Sequence, residues 1–300
     1  MIALRGKTEE YFFDEHRPFT RPGKFSTVYK GENSIGEPVI IKKLINGGNK
    51  NPFEDKVSHP AFIKTIDGVV DRNIVYLIRP FISGVPLISL KGRKWFNSDE
   101  NCELFISIIK KIGDALSSLH HQNLVHLDIR PHNILVENID QLSNLRVSII
   151  DLEMLRPFYD SKPIANFPLL YSAPELLLKR NNLIDQRTDI YAFSYTIYEV
   201  IFNVLPLRQS NPELLMHLML TMKLPMISNH DSIVKVLQKA SAKSIFKLPP
   251  AKLSGEEIDQ ILITGMDSRY QNIDAFLSDM QDLITVNHTR WIRLLQLFNR

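Results

Sequence analysis

Short runs of β-branched and aromatic residues, broken by turn formers, occupy the first quarter of the chain. Val28-Tyr29-Lys30 and Val39-Ile40-Ile41-Lys42 flank a turn from Asn33 to Gly36, which predicts a hairpin. Val69-Val70 and Ile74-Val75-Tyr76-Leu77 flank Asp71-Arg72-Asn73 and predict a second. Between them, the run from Asn46 to Pro52 is so rich in breakers that any helix before His59-Pro60 must be short. From about residue 98 the period becomes helical: Leu104, Ile108, Ile112, Leu116 and Leu119 share a face, with Asn97 and Glu100 reading as a capping start. Two short strands follow, Ile134 to Val136 and Val147 to Ile150, and from Asp189 the apolar spacing is helical to the end. The pattern predicts an α+β chain: a β-rich first lobe, a larger helical second lobe, and a short hinge near Pro80 to Gly84.

Composition narrows the function classes. Lys+Arg and Asp+Glu number 36 and 33, a net charge of +3, so no broad basic field argues for a nucleic-acid partner. The single Cys102 can build neither a disulfide framework nor a thiolate metal site and suits a reducing compartment. The first residues lack the apolar core of a secretory signal, and no apolar run is long enough to span a bilayer. A cytoplasmic protein with no membrane partner is expected.

Asp128 and Asn133 fall in a loop between the long helix and a short strand, and Asp151 follows the next strand, so a hairpin would gather all three at one edge. Carboxylates with an amide oxygen suit Mg²⁺, which takes hard oxygen ligands. Arg130 beside them adds a cation, which a transferring phosphoryl group would need and a bare metal site would not.

In order along the chain, Val39-Ile40-Ile41-Lys42, His126-Leu127-Asp128 through Asn133, Asp151-Leu152-Glu153 and Ala173-Pro174-Glu175 resemble the V-A-I-K, H-R-D-x-x-x-x-N, D-F-G and A-P-E motifs of protein kinases. The resemblance implies one two-lobed, protein-kinase-like domain over residues 1–300. Residues 1–82 would form a small β-rich N-lobe with a reduced or missing αC helix, and 83–300 a helical C-lobe. It implies ATP and Mg²⁺ as cofactors and transfer to a hydroxyl of a protein substrate, Ser/Thr favoured over Tyr. Asp128 would orient that hydroxyl and accept its proton, with Arg130 alongside. Asn133 and Asp151 would bind Mg²⁺, and Lys42 the α- and β-phosphates. Arg21 to Val28 aligns with the glycine-rich loop, giving Gly23 and Val28 nucleotide contacts; the Pro80 carbonyl and Ile82 N–H would meet adenine. Arg79 would then stand behind adenine or, in a shifted register, point to solvent. His126 is expected to be a packed core histidine, Asp189 to brace the catalytic loop from beneath, and Glu175 to pair with Arg269.

Several positions depart from the family pattern. The glycine-rich loop keeps only Gly23, and the segment before His59 looks too short for the usual helix that carries the lysine's glutamate partner. Glu54 is the nearest acid to that place apart from Asp55, and Glu153 is a possible substitute. Glu153 also replaces the glycine of D-F-G, which predicts a fixed Asp151. Leu127 replaces the arginine that receives an activating phosphate, so activity is expected to need none between Asp151 and Glu175. Pro168 stands where Ser/Thr kinases place a threonine. Two other readings remain: a pseudokinase that binds nucleotide or scaffolds signalling, and a small-molecule phosphotransferase of the aminoglycoside or choline type, whose members lack A-P-E.

Overall fold

The computed structural model describes residues 1–45, 50–164, 167–228 and 230–284. Positions 46–49 of the breaker run, and the helical spacing expected after 284, lie outside the described residues.

Six strands form one antiparallel sheet: β1 (Ile2–Arg5), β2 (Glu10–Phe13), β3 (Ser26–Asn33), β4 (Pro38–Leu44), β5 (Asp67–Asp71) and β6 (Ile74–Pro80), in the order β1-β2-β3-β4-β6-β5. Both expected hairpins are present, β3–β4 with Val28 opposite Lys42 and β5–β6 with Val70 opposite Val75. The β1–β2 hairpin was not anticipated; its buried Leu4, Tyr11 and Phe13 complete the sheet's own core with Tyr29, Val39, Ile41, Val69, Tyr76 and Ile78. Because side chains alternate faces along a strand, Ile41 in that core puts Ile40 and Lys42 on the opposite face. Arg79 lies directly across from Ile40 and Leu77 across from Lys42, so Arg79 and Lys42 share that second face.

Among the described residues, no long helix separates the two hairpins. One 3-10 turn, Glu54–Lys56, stands there, and Val57, Ala61 and Phe62 pack into the core of the second lobe rather than of the sheet. Phe62 forms a parallel bridge with Ile149, and the Ile149 N–H donates to the Ala61 carbonyl at 2.7 Å. The shortened segment is therefore stapled to the lower lobe.

Beyond the sheet come β7 (Val85–Pro86), α1 (Asp99–His121), β8 (Leu124–Val125), β9 (Ile134–Glu137), β10 (Arg146–Ile149) and β11 (Arg156–Pro157). Then follow α2 (Pro174–Leu177), α3 (Gln186–Phe202), α4 (Pro212–Thr221), α5 (Asp231–Ala240), α6 (Gly255–Asp267) and α7, helical over residues 273–284. Ser98, not Asn97, caps α1: its hydroxyl accepts from the Asn101 N–H at 3.3 Å, so the expected start is one residue early. The apolar face of α1 runs through Leu104, Ile108, Ile112, Leu116 and Leu119, all buried. At the hinge, a Cβ on Gly84 would lie 2.9 Å from Glu137 Cγ and 3.1 Å from the Val136 carbonyl oxygen, so only glycine lets the chain pass this close to β9. No helix among the described residues is long and apolar enough to cross a membrane.

Candidate active site

The loop between β8 and β9 is shaped from below. On the first turn of α3, Asp189 accepts the His126 N–H at Oδ2 (2.8 Å) and the Leu127 N–H at Oδ1 (2.9 Å), and pairs with His120 Nε2 at 3.0 Å. Burial works against its charge, but the His120 contact, first among its favourable partners, holds the carboxyl below its usual range. This is the bracing expected of Asp189, and it fixes Leu127 in the left-handed region at φ 65°. His126 is fully buried, stacks on Phe62, and takes the Asp128 N–H on Nδ1 at 3.2 Å. Burial lowers its pKa, so it is a neutral packing residue.

Asp128 emerges from this loop with its two oxygens in different surroundings. Oδ2 accepts from Asn133 Nδ2 at 2.6 Å, and the same amide donates to the Asp128 carbonyl at 2.9 Å. Oδ1 lies 3.2 Å from Arg130 Nε but takes no hydrogen bond, because the guanidinium is not aligned for one. Burial pushes the Asp128 carboxyl up to about 7, against the pull of Arg130 and Asn133. Asn133 spends its amide N–H groups on Asp128, which leaves its Oδ1 with no hydrogen bond among the described residues.

Asp151 sits just past β10 with φ 72° and ψ 64°, a left-handed conformation in which a non-glycine residue is held by its surroundings. Its Oδ1 is 2.5 Å from Lys42 Nζ and 3.5 Å from Arg79 Nη1. Burial would raise this carboxyl, but Lys42 and then Arg79 outweigh it and hold it at about 2. The choice left open for the partner of Lys42 falls to Glu153, whose Oε2 is 3.0 Å from Nζ. Glu54 is fully buried elsewhere, accepting from the Thr65 N–H at 2.8 Å and its hydroxyl at 3.3 Å. Arg79 points inward, not to solvent, with Nη2 2.6 Å from Glu153 Oε1.

The remaining nucleotide candidates lie around this cluster. Val28 stands opposite Lys42 on the cleft face, and the Gly23 N–H donates to the Ser26 carbonyl at 3.0 Å, closing a tight turn before β3. Pro80 ends β6 opposite Val39, with Ile82 two residues on. At the other end of the segment after Asp151, Glu175 meets Arg269 as expected, bidentate at 2.7 and 2.9 Å and buried. Between these ends Leu127, Val125, Leu176 and Ile184 are buried together, with Met154, Phe158, Ile164 and Phe167 packed on them. Oil fills the place where a phosphate-binding arginine would stand.

Two residues went unread in the sequence. Asn51 donates to the carbonyls of Glu153 (3.0 Å) and Leu155 (2.7 Å), pinning the segment after Asp151; an asparagine in a breaker run carries no signal of a partner a hundred residues away. The buried Glu199 accepts from the Tyr171 hydroxyl, and only helical phase on α3 could have turned it inward.

Known proteins resemble this chain over much of its length. A model of the family described as "Protein kinase domain" matches residues 22–284. The sporulation protein kinase mde3 of Schizosaccharomyces pombe is 29% identical over 210 residues, 62% of this chain and 36% of that protein. The serine/threonine-protein kinase ULK3 of Homo sapiens is 26% identical over 196 residues, 61% of this chain and 40% of that one. The matched stretch thus spans well under half the length of either relative.

Proposed function

The chain belongs to the protein kinase domain family, and from that premise we propose that it transfers the γ-phosphoryl group of ATP, with Mg²⁺, to a hydroxyl of a protein substrate. Ser/Thr is the favoured acceptor, in keeping with the name of the Homo sapiens relative. The observation that carries the reading is Asp128: one oxygen is bound by Asn133 while the other, buried and without a hydrogen bond, is left to accept from an incoming hydroxyl. Arg130, 3.2 Å from that oxygen, is placed to favour the carboxylate form and to face the charge on the group in transfer.

The donor set fits Mg²⁺. Asp151 stays ionised, and the Asn133 amide turns its oxygen away from Asp128, so both offer hard oxygens. When bound, the ion would neutralise charge between phosphate oxygens. Lys42, kept in place by Glu153, would meet the α- and β-phosphates. Gly23 and Val28 would cover the nucleotide, and the Pro80 carbonyl and Ile82 N–H would take adenine; proline keeps the one group its position requires. The hinge at 80–84 would divide an N-lobe of residues 1–82 from a C-lobe of 83–300.

Activity would need no phosphate on the segment from Asp151 to Glu175. The apolar packing of Leu127 with Phe158, Ile164 and Phe167 supports this, because it already holds the segment that a new phosphate would otherwise order.

Labelled phosphate transfer from ATP with Mg²⁺ tests the proposal. The native chain should label a protein acceptor, before and after phosphatase treatment, and Asp128→Ala and Asp151→Asn should each lose at least ~100-fold. Equal signal in all three would leave a pseudokinase; labelling of aminoglycosides or choline alone would leave a small-molecule phosphotransferase.

A further inference from the structure

Four charges close a ring at the back of the cleft. Lys42 meets Asp151 at 2.5 Å, Asp151 meets Arg79 at 3.5 Å, Arg79 meets Glu153 at 2.6 Å, and Glu153 returns to Lys42 at 3.0 Å. Each cation lies between two carboxylates and each carboxylate between two cations. The ring is neutral only with Arg79 present; without it, two carboxylates would share one ammonium in a poorly hydrated site.

The orientation of Arg79 is set by this ring. It is buried at 5% exposure, and its Nε has no hydrogen-bond partner, so the guanidinium gives up one donor to aim its two Nη groups at the carboxylates. Register fixes the direction: Arg79 lies across from Ile40, two residues before Lys42, so both cations leave the sheet on one face. Glu153 is held on its other side as well, since Asn51 binds its carbonyl oxygen and Leu152 beside it is fully buried.

We propose that Arg79 is a positioning residue for nucleotide binding: it holds Glu153 against Lys42, so that Glu153 performs the task that a glutamate on a long helix would otherwise perform. The proposal rests on the phosphotransfer reading above. It has a structural corollary. The lysine's partner and the metal-binding aspartate lie two residues apart on one pinned segment, so Lys42 and Asp151 are set together rather than by a separate mobile helix.

The test uses the full chain with Arg79→Met, Arg79→Lys, Glu153→Gln and the double variant Arg79→Met/Glu153→Gln. Two readouts are taken: Kd for ATP with Mg²⁺ by displacement of a fluorescent nucleotide, and melting temperature without nucleotide. Arg79→Met should weaken ATP about tenfold, equivalent to ~1.4 kcal/mol. Arg79→Lys, which keeps the charge and loses the fork, should recover to within about threefold of the native chain. The double variant should bind no worse than the weaker single, and its melting loss should fall short of the sum of the two. Native affinity in Arg79→Met would overturn the proposal even if that variant melted earlier, because the residue would then be structural alone. Additive losses in the double variant would overturn it too. A native chain that binds no ATP would instead sink the phosphotransfer reading, while sub-additive melting would still uphold the ring.

Discussion

Removing Glu175 should cost this protein more stability than almost any other single side chain. Its carboxylate and the Arg269 guanidinium, at 0% and 1% side-chain exposure, meet through two parallel hydrogen bonds of 2.7 and 2.9 Å. Thr188 Oγ1 adds a third at 2.8 Å. Glu175→Leu would leave Arg269 with the carbonyls of Ala242 and Arg187 and the face of Tyr191, 5.0 Å away, but no counter-charge. Stripping one partner from a buried pair costs ~3–5 kcal/mol. With an unfolding entropy of about 2.1 cal/mol/K per residue over 300 residues, roughly 0.6 kcal/mol/K, the melting temperature should fall by ~5–8 °C. The double variant Glu175→Leu/Arg269→Met removes both charges and should lose less than the sum of the singles. Calorimetry or circular dichroism melts of the four proteins decide it. A drop of under ~1.5 °C in Glu175→Leu, or additive losses in the double variant, would refute the assignment of this pair as a charge clamp.

Three further outcomes follow from the packing. Burial first, and Arg269 second, bring Lys243 down to about 7 from 10.5, so the fold disfavours its charged form; the destabilisation is complete below pH 7 and is relieved as pH climbs towards 10.5. Lys243→Met should therefore gain most over the native chain at pH 6–7 and nothing near pH 10.5 in paired urea titrations, and a constant difference across pH would contradict this. Leu127→Ala empties part of the cluster with Phe158, Ile164 and Phe167 and should cost ~2–5 kcal/mol in urea, with faster proteolysis between residues 154 and 164; an unchanged cleavage rate would count against the cluster as the segment's anchor. Gly113→Ala raises helix propensity by ~1 kcal/mol, yet its Cβ would lie 2.2 Å from Leu277 Cδ1, so overpacking at ~1–3 kcal/mol should give a net loss. A more stable variant would show that α1 and α7 are not packed so closely.

The sequence by itself determined what depends on neighbours along the chain. Period-two runs placed β3–β6, helical spacing placed α1, and ordered motifs marked Lys42, Asp128, Asn133, Asp151 and Glu175, because backbone direction and loop chemistry are set within a few residues. That any helix before His59 must be short was legible too, since breakers leave little room for a long one, and the described residues hold only a 3-10 turn there. The four-residue β1 and β2 were not, because each buries its apolar side chains only against strands that arrive later in the chain. Only the tertiary structure decided partners. Glu54 and Glu153 were both candidates for Lys42; in the fold Glu54 is taken up by Thr65, while Asn51 pins the Glu153 carbonyl and the Glu153 carboxylate meets Lys42. Arg79 could face either side of its strand until the register of β6 on β4 set its direction. The ion pairs among Lys42, Arg79, Asp151 and Glu153 join residues 72 to 111 positions apart, and burial rewards them only after the whole chain has closed around them.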